Sequence, residues 1–347
     1  FDLIKKDKNN FEIQLLSSNK NISELIKQAK IFKVKNLIIN DYNKYIEAKK
    51  KYKKFKINFY NSFSIIDKLF KKKNIFYSMV SLVGLDGLKP TLQLIRYSQN
   101  IAIVNKESLI CGWTLIKKKL LKYKTNFIPV DSEHFSIFSL INNNISPIEK
   151  IYITASGGPF LNYNKSKFSK ITVNDALKHP SWNMGRKISI DSATLMNKVF
   201  EVIEAKNIFN LEYNRISILT HPSSYVHAIV KFNSGLIKIL VHEPDMKIPI
   251  HNTIYHSDKK NFKSKELDLN TLNNLNFNKV DRKKFPLIKL IDSLPKKNSL
   301  YETALISIND YFVLKFLEKK IGFTQLTKLI YKYANHRNFT KYKKNSI

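Results

Sequence analysis

Glycine, cysteine and arginine are all scarce in this chain of 347 residues. A single cysteine, Cys111, excludes an internal disulfide and fits a reducing compartment. No run approaches the ~18 uninterrupted apolar residues that a membrane helix needs, so no membrane partner is expected. The opening Phe1-Asp2-Leu3-Ile4-Lys5-Lys6 lacks the order of a signal peptide, with charge ahead of a long apolar stretch. Only five of the 60 basic side chains are arginine (Arg96, Arg186, Arg215, Arg282 and Arg337). Readers of nucleic acid favour arginine's planar fork, so the net charge of +33 does not by itself imply a nucleic-acid partner. Lysine abounds together with Asn, Ile, Phe and Tyr, while glycine falls to 8. This joint bias looks like nucleotide composition acting on every tolerant position. The excess lysine then reads as solvated surface that draws anionic metabolites. An apolar fraction of 43 %, with 12 % aromatics, rules out a wholly disordered chain and supplies cores for two or three domains.

Through the first 130 residues short apolar runs alternate with amphipathic stretches. Phe11–Leu16, Asn36–Ile39, Ile75–Val83, Ile101–Val104 and Phe127–Val130 read as strands. Ser23–Lys30, Lys44–Lys54 and Ser108–Leu121 read as helices, and the lysine runs Lys49–Lys51 and Lys71–Lys73 close helices. The alternation predicts a parallel sheet covered on both faces. From Asp131 to His256 polar residues crowd together. Strand patterns recur at Lys150–Thr154, Ile216–Leu219, Val226–Phe232 and Leu236–Val241, and one long helix is expected over Asp191–Phe209. Ser257–Lys284 lacks periodicity and reads as a linker. Helical patterns return at Leu287–Leu294, Thr303–Leu317 and Phe323–Tyr333. The expected architecture is α/β: residues 1–130 a nucleotide-type domain, 131–256 a second α/β domain, 257–284 a linker and 285–347 a small helical domain.

Four segments concentrate chemistry. In Pro129-Val130-Asp131-Ser132-Glu133-His134, a period of two at a strand end puts Asp131 and Glu133 on one side. Adjacent like charges are unfavourable unless a cation or proton lies between them, and oxygen ligands suit Mg²⁺ or Mn²⁺. A solvent-facing acidic pair is the ordinary alternative. Downstream, helical spacing sets Asn197 and Glu201 one turn apart with Lys198 three before Glu201, and Ser192 stands where a helix start is expected. A surface Lys–Glu pair behind a serine cap would look the same. Ser156-Gly157-Gly158 follows a strand and offers backbone N–H groups and a hydroxyl to a phosphate, where a plain tight turn is the alternative. His179-Pro180-Ser181-Trp182-Asn183-Met184-Gly185 has the composition of a mobile loop that covers a ligand, or of a surface loop anchored by Trp182. His221, His227, His242, His251 and His256 form no ligand-spacing motif and read as structural.

These segments, together with VGLDGLKPTL from Val83, NKES from Asn105 and EPDMKIPI from Glu243, occur in an order that closely resembles the 1-deoxy-D-xylulose 5-phosphate reductoisomerase family. The resemblance is dense from Val83 to Ile250 and thinner at Phe285–Leu317. It implies a Rossmann-like NADPH-binding domain, a catalytic domain and a C-terminal helical domain. The implied reaction is NADPH- and metal-dependent rearrangement and reduction of 1-deoxy-D-xylulose 5-phosphate to 2-C-methyl-D-erythritol 4-phosphate, in isoprenoid precursor biosynthesis.

Carried over by position, the resemblance implies an Mg²⁺ or Mn²⁺ ion held by Asp131, Glu133 and Glu201, with Lys106 joining them in catalysis. Ser156, Ser192, Asn197 and Lys198 would bind the substrate phosphate. Lys106, Ser132 and His179 would bind the rest of the sugar, with Trp182 and Met184 on a closing flap. Asn21, Asn105, Glu107 and Gly185 match cofactor-binding positions. A homodimer in a bacterial cytoplasm is expected, a plastid interior being the other setting.

The sequence also departs from the family. Members open with a strand and a glycine-rich turn that holds the cofactor pyrophosphate, and Phe1 corresponds to a point inside the helix that follows. Asn19 replaces a small residue, Val199-Phe200 a Gly-Leu pair, and Ser307-Ile308-Asn309-Asp310 an Ala-Ala-Asn-Glu-like run. The alternative reading is a remnant of the family that binds a sugar phosphate without turnover. A basic nucleic-acid-binding protein ranks far behind, since no motif supports it.

Overall fold

Apolar residues three and four apart, bounded by short β-branched runs, build the first part of the chain. The structure, a computed structural model, describes residues 1–71, 74–142, 146–255 and 260–345. Six strands arise from the apolar runs: β1 (Leu16–Ser18), β2 (Asn36–Ile39), β3 (Asn58–Tyr60), β4 (Ile75–Val80), β5 (Ser98–Ile103) and β6 (Asn126–Pro129). All pair in parallel, and Leu37, Ile38 and Ile39 are wholly buried, as befits strands covered on both faces. The connecting helices are α1 (Ile22–Ile31), α2 (Tyr42–Lys51), α3 (Ile65–Phe70), α4 (Leu88–Leu94), α5 (Lys106–Cys111) and α6 (Trp113–Tyr123). Helix α1 shows why they form: Ile22, Leu25, Ile26 and Ala29 share one buried face, and Asn21 caps the start by accepting from the Glu24 backbone N–H. Three lysines fill the last turn of α2.

A second layer system follows. Helix α7 (Ser132–Ile141) leads into β7 (Ile148–Ala155), then α8 (Arg186–Ala193), α9 (Met196–Phe209), β8 (Ile216–Thr220), β9 (Val226–Phe232) and β10 (Ile237–Val241). These strands and β11 (Asn278–Lys279) make a mixed sheet in the order β10-β9-β7-β8-β11. After α10 (Lys247–Ile254), a 3₁₀ stretch over Pro286–Ser293 precedes α11 (Leu300–Leu317) and α12 (Phe323–Ala334). Helix α9 is the axis of the molecule. Its Val202 and Ala205 pack on the mixed sheet, while Met196, Val199, Phe200 and Ile203 enter the core shared with α11 and α12.

Several expectations need correction. The single parallel sheet is two ladders, β1-β2-β3 and β4-β5-β6, with no hydrogen-bonded pair joining them among the described residues. They meet instead through packing of Leu15, Phe63, Ile66, Phe70, Ile75 and Tyr97. Of Phe11–Leu16 only Leu16 lies in a strand, because the parallel register opens at Leu16 opposite Leu37. The helix expected over Ser108–Leu121 breaks at Gly112 into α5 and α6. The helix expected over Asp191–Phe209 breaks where Leu195 turns left-handed at φ 58°. Ser192 therefore lies in the last turn of α8 and starts no helix. The 257–284 stretch is not all linker, since a short helix covers Leu269–Asn273 and β11 pairs antiparallel with β8. Lys72, Lys73, His256 and residues 257–259 lie outside the described residues.

Candidate active site

Helix α9 is buried all round, yet it carries a polar stripe. Asn197, Glu201 and Glu204 follow one another at helical spacing, with Lys198 beside them. The stripe faces the turn from β6 into α7, where Asp131 caps the helix by accepting from the Glu133 backbone N–H at 3.3 Å. Asp131 and Glu133 are thus brought together by a helix cap and its first turn, where strand alternation was expected. Ligand oxygens of Asp131, Glu133 and Glu201 lie within 4.8 Å of one another. His134, fully buried, faces the Glu201 carbonyl through Nε2 at 3.0 Å and so ties α7 to α9.

Two lysines enter the carboxylates. Lys106, at the start of α5, donates to Asp131 at 2.8 Å and to Glu204 at 2.9 Å. Lys198 donates to Glu133 and to Glu201, the latter at 2.7 Å, and the Asn197 amide donates to the other Glu201 oxygen. Burial opposes the charge on Asp131, but Lys106 outweighs it and holds the carboxyl far below its ordinary range. Burial, then the charge of Glu133, pushes Glu201 up to about 8. Burial likewise lifts Glu204 to about 7 against the pull of Lys106. With all four ionised, the carboxyl groups would outnumber the two ammonium groups by two charges, a shortfall that one divalent cation matches and that otherwise keeps protons on Glu201 and Glu204. The all-oxygen donor set suits a hard ion, and buried Asn197 Oδ1 has no hydrogen-bond partner, so the residues fit such a group.

A polar rim borders this cluster. Strand β7 ends in Ser156-Gly157-Gly158, where both glycines have positive φ, 85° and 66°. Ser156 Oγ accepts from the Gly158 N–H at 3.1 Å, so the turn is partly closed on itself. Gly158 lies against the end of α8, which brings the turn beside Ser192. His179 Nε2 meets Ser156 Oγ at 3.1 Å. The following loop carries Trp182, Met184 and Gly185 into the N-cap of α8, and Trp182 rests edge-on against His227 with ring centroids 6.0 Å apart. His227 and His242 stack on each other at 3.7 Å, a packing role in keeping with their lack of ligand spacing.

At the turn from β5 into α5, Asn105 caps the helix, accepting from Ser108 N–H, and donates to the Gly84 carbonyl at 2.8 Å. Buried Glu107 accepts from Lys187 Nζ at 2.9 Å; Lys187 also meets Asp310 of α11 at 2.8 Å and Asp191 at 3.8 Å. Asn309 donates to Asp191 at 2.8 Å. Asn21 stands at the head of α1, which packs on the first ladder. Sequence reasoning missed Glu204, Lys187 and Asp191. A signal for Glu204 existed, since it falls three residues after Glu201 on the same helical stripe.

Parallel α/β ladders joined to a mixed-sheet unit, with a buried carboxylate cluster able to hold a hard cation, define the class as a metal-centred α/β enzyme. Profiles described as 1-deoxy-D-xylulose 5-phosphate reductoisomerase, its C-terminal domain and the DXP reductoisomerase C-terminal domain match residues 1–112, 127–209 and 241–347, respectively. The chain belongs to the 1-deoxy-D-xylulose 5-phosphate reductoisomerase family. It is 55 % identical to the reductoisomerase of Pelagibacter ubique (strain HTCC1062) over 98 % of this chain and 88 % of the relative. Identity to that of Wolbachia pipientis wMel is 37 %, over 95 % and 84 %. Among solved structures, the Zymomonas mobilis enzyme in complex with NADPH matches with a TM-score of 0.87 and 31 % identity, over 96 % of this chain and 87 % of that one. A DOX-P reductoisomerase in complex with NADPH, fosmidomycin and magnesium matches with a TM-score of 0.89 and 28 % identity, over 99 % and 87 %.

Proposed function

We propose that this chain carries out the family reaction: the divalent-metal- and NADPH-dependent conversion of 1-deoxy-D-xylulose 5-phosphate to 2-C-methyl-D-erythritol 4-phosphate. The observation that carries the reading is the convergence of Asp131, Glu133 and Glu201 from two separate helices onto one point. These three would hold Mg²⁺ or Mn²⁺. When bound, such an ion supplies Lewis-acid polarisation of the sugar carbonyl. The chain's own groups do the rest. Lys106 and Lys198 now neutralise carboxylates that an ion would claim; released, Lys198 is free for the substrate phosphate together with Ser156, Ser192 and Asn197. Lys106, Ser132 and His179 orient the sugar. Trp182 and Met184 on the 179–185 loop exclude water once ligand is seated. Asn21, Asn105, Glu107 and Gly185 are the proposed cofactor contacts.

The division at residues 130, 256 and 284 into nucleotide-binding, catalytic, linking and helical parts is proposed with this reading. A homodimer is also proposed. Edge strand β10 presents Ile237 and Ile239 to solvent, an apolar strip that a second copy would cover. No described helix is long and apolar enough to cross a membrane, and a cytoplasmic site of action is proposed. The test is NADPH oxidation with the sugar phosphate in the presence and absence of Mn²⁺. Metal-dependent turnover is expected. Saturable sugar phosphate binding with no NADPH binding would favour a remnant.

A further inference from the structure

One carboxylate of the cluster is left over once the cation has its ligands. Glu204 is 1 % exposed and is not among the groups whose oxygens converge. Its hydrogen-bond partner is Lys106 Nζ at 2.9 Å, whose other contacts are Asp131 at 2.8 Å and Glu201 Oε1 at 3.8 Å. Lys106 thus straddles two proposed ligands and one bystander. A divalent ion taking Asp131 and Glu201 would repel the ammonium and remove two of its three counter-charges. A buried ammonium without a counter-charge is costly, so Lys106 would leave the site or stay on Asp131 and compete with the ion.

We infer that Glu204 is a positioning residue, the anchor that draws Lys106 off Asp131 and keeps it beside the reacting sugar while the metal is bound. The inference rests on the metal assignment above. Helical geometry enforces it. Glu204 sits one turn past Glu201 on a helix fixed on all sides by core, so its carboxylate cannot follow the ion. Lys106 is short of alternatives, with a side chain only 15 % exposed. Glu204 acts here as the ionised carboxylate, and it takes no part in the reaction itself.

Calorimetric titration with Mn²⁺, alongside kcat and KM, tests this on wild type, Glu204→Gln, Lys106→Met and the double variant. Glu204→Gln is expected to weaken Mn²⁺ binding about tenfold and to lower kcat more than KM changes, because Lys106 falls back onto Asp131. In the Lys106→Met background the same substitution is expected to change the Mn²⁺ constant less than about twofold. A merely structural carboxylate would cost the same factor in both backgrounds, and that result overturns the inference. Should Gln at this position prevent folding, Glu204→Asp enters the same cycle with the same expectation, the loss being confined to the background that has Lys106. Wild type that binds no Mn²⁺ sinks the metal assignment and the inference together. Wild type that binds Mn²⁺, with Glu204→Gln equal to it in affinity and kcat, sinks the role of Glu204 alone.

Discussion

His179 Nδ1 accepts the backbone N–H of Trp182 at 2.9 Å, and of Ser181 at 3.1 Å. Two donors on one ring nitrogen mark it as unprotonated, so Nε2 carries the hydrogen and donates to Ser156 Oγ. The ring is thus the hub of its own loop. Burial, then the charge of Lys198, draws His179 down to about 4. A free imidazole titrates at ~6.5, so below that pH the unfolded chain binds a proton that the folded chain refuses. The stability contribution is therefore full above ~6.5 and is lost as pH falls toward 4. Proton NMR of the His179 ring should show no titration between about pH 8 and pH 5. A midpoint near 6.5 would mean that the loop does not hold the ring this way.

Gly158 is fixed by its neighbour. A Cβ there would stand 2.9 Å from the Ser192 carbonyl oxygen and 3.2 Å from Ala193 Cα, at a φ of 66° that side chains rarely adopt. Gly158→Ala is expected to cost ~1–3 kcal/mol from backbone strain alone, read by urea unfolding. Pushing back the end of α8 displaces Ser192, so KM for the sugar phosphate should rise severalfold. A variant as stable and as tight as wild type would contradict the packing described.

Lys187 holds three acidic groups from three parts of the chain: Glu107, Asp191 and Asp310. Lys187→Met leaves them without a cation. A fully buried pair broken this way costs ~3–5 kcal/mol, and partial exposure of Lys187 brings the expected loss to about 2. Burial raises Asp191 to about 6, so its negative charge fades on acidification. The loss should accordingly be smaller near pH 5 than near pH 8. Equal losses at both values would show that the charge of Asp191 is not involved.

How far the sequence reached can be told from individual residues. Strand β2 and strand β9 follow from short, largely apolar stretches holding the β-branched pairs Ile38-Ile39 and Ile229-Val230, and α1 from its 22-25-26-29 face. The break at Leu195 did not show, because nothing in Ala193-Thr194-Leu195-Met196 is a helix breaker; close approach of Gly158 and burial on every side fix that turn. The pairing of Asn278–Lys279 with β8 was equally hidden, since two exposed residues carry no hydrophobic pattern. The acidic residues 131, 133 and 201 were legible as chemistry, and the structure adds their convergence. The Lys198–Glu201 pair was legible from helical spacing, but the contact of Lys106 with Glu204 was not, because it spans 98 positions of sequence.

Removing one ligand while keeping its shape probes the metal centre most directly. Calorimetric titration of Glu201→Gln with Mn²⁺, paired with NADPH turnover on the same preparation, is expected to show affinity lowered at least about tenfold, no measurable turnover and an unchanged far-ultraviolet circular dichroism spectrum. Wild-type affinity together with wild-type turnover would contradict the assignment of Asp131, Glu133 and Glu201 as the site of the catalytic cation.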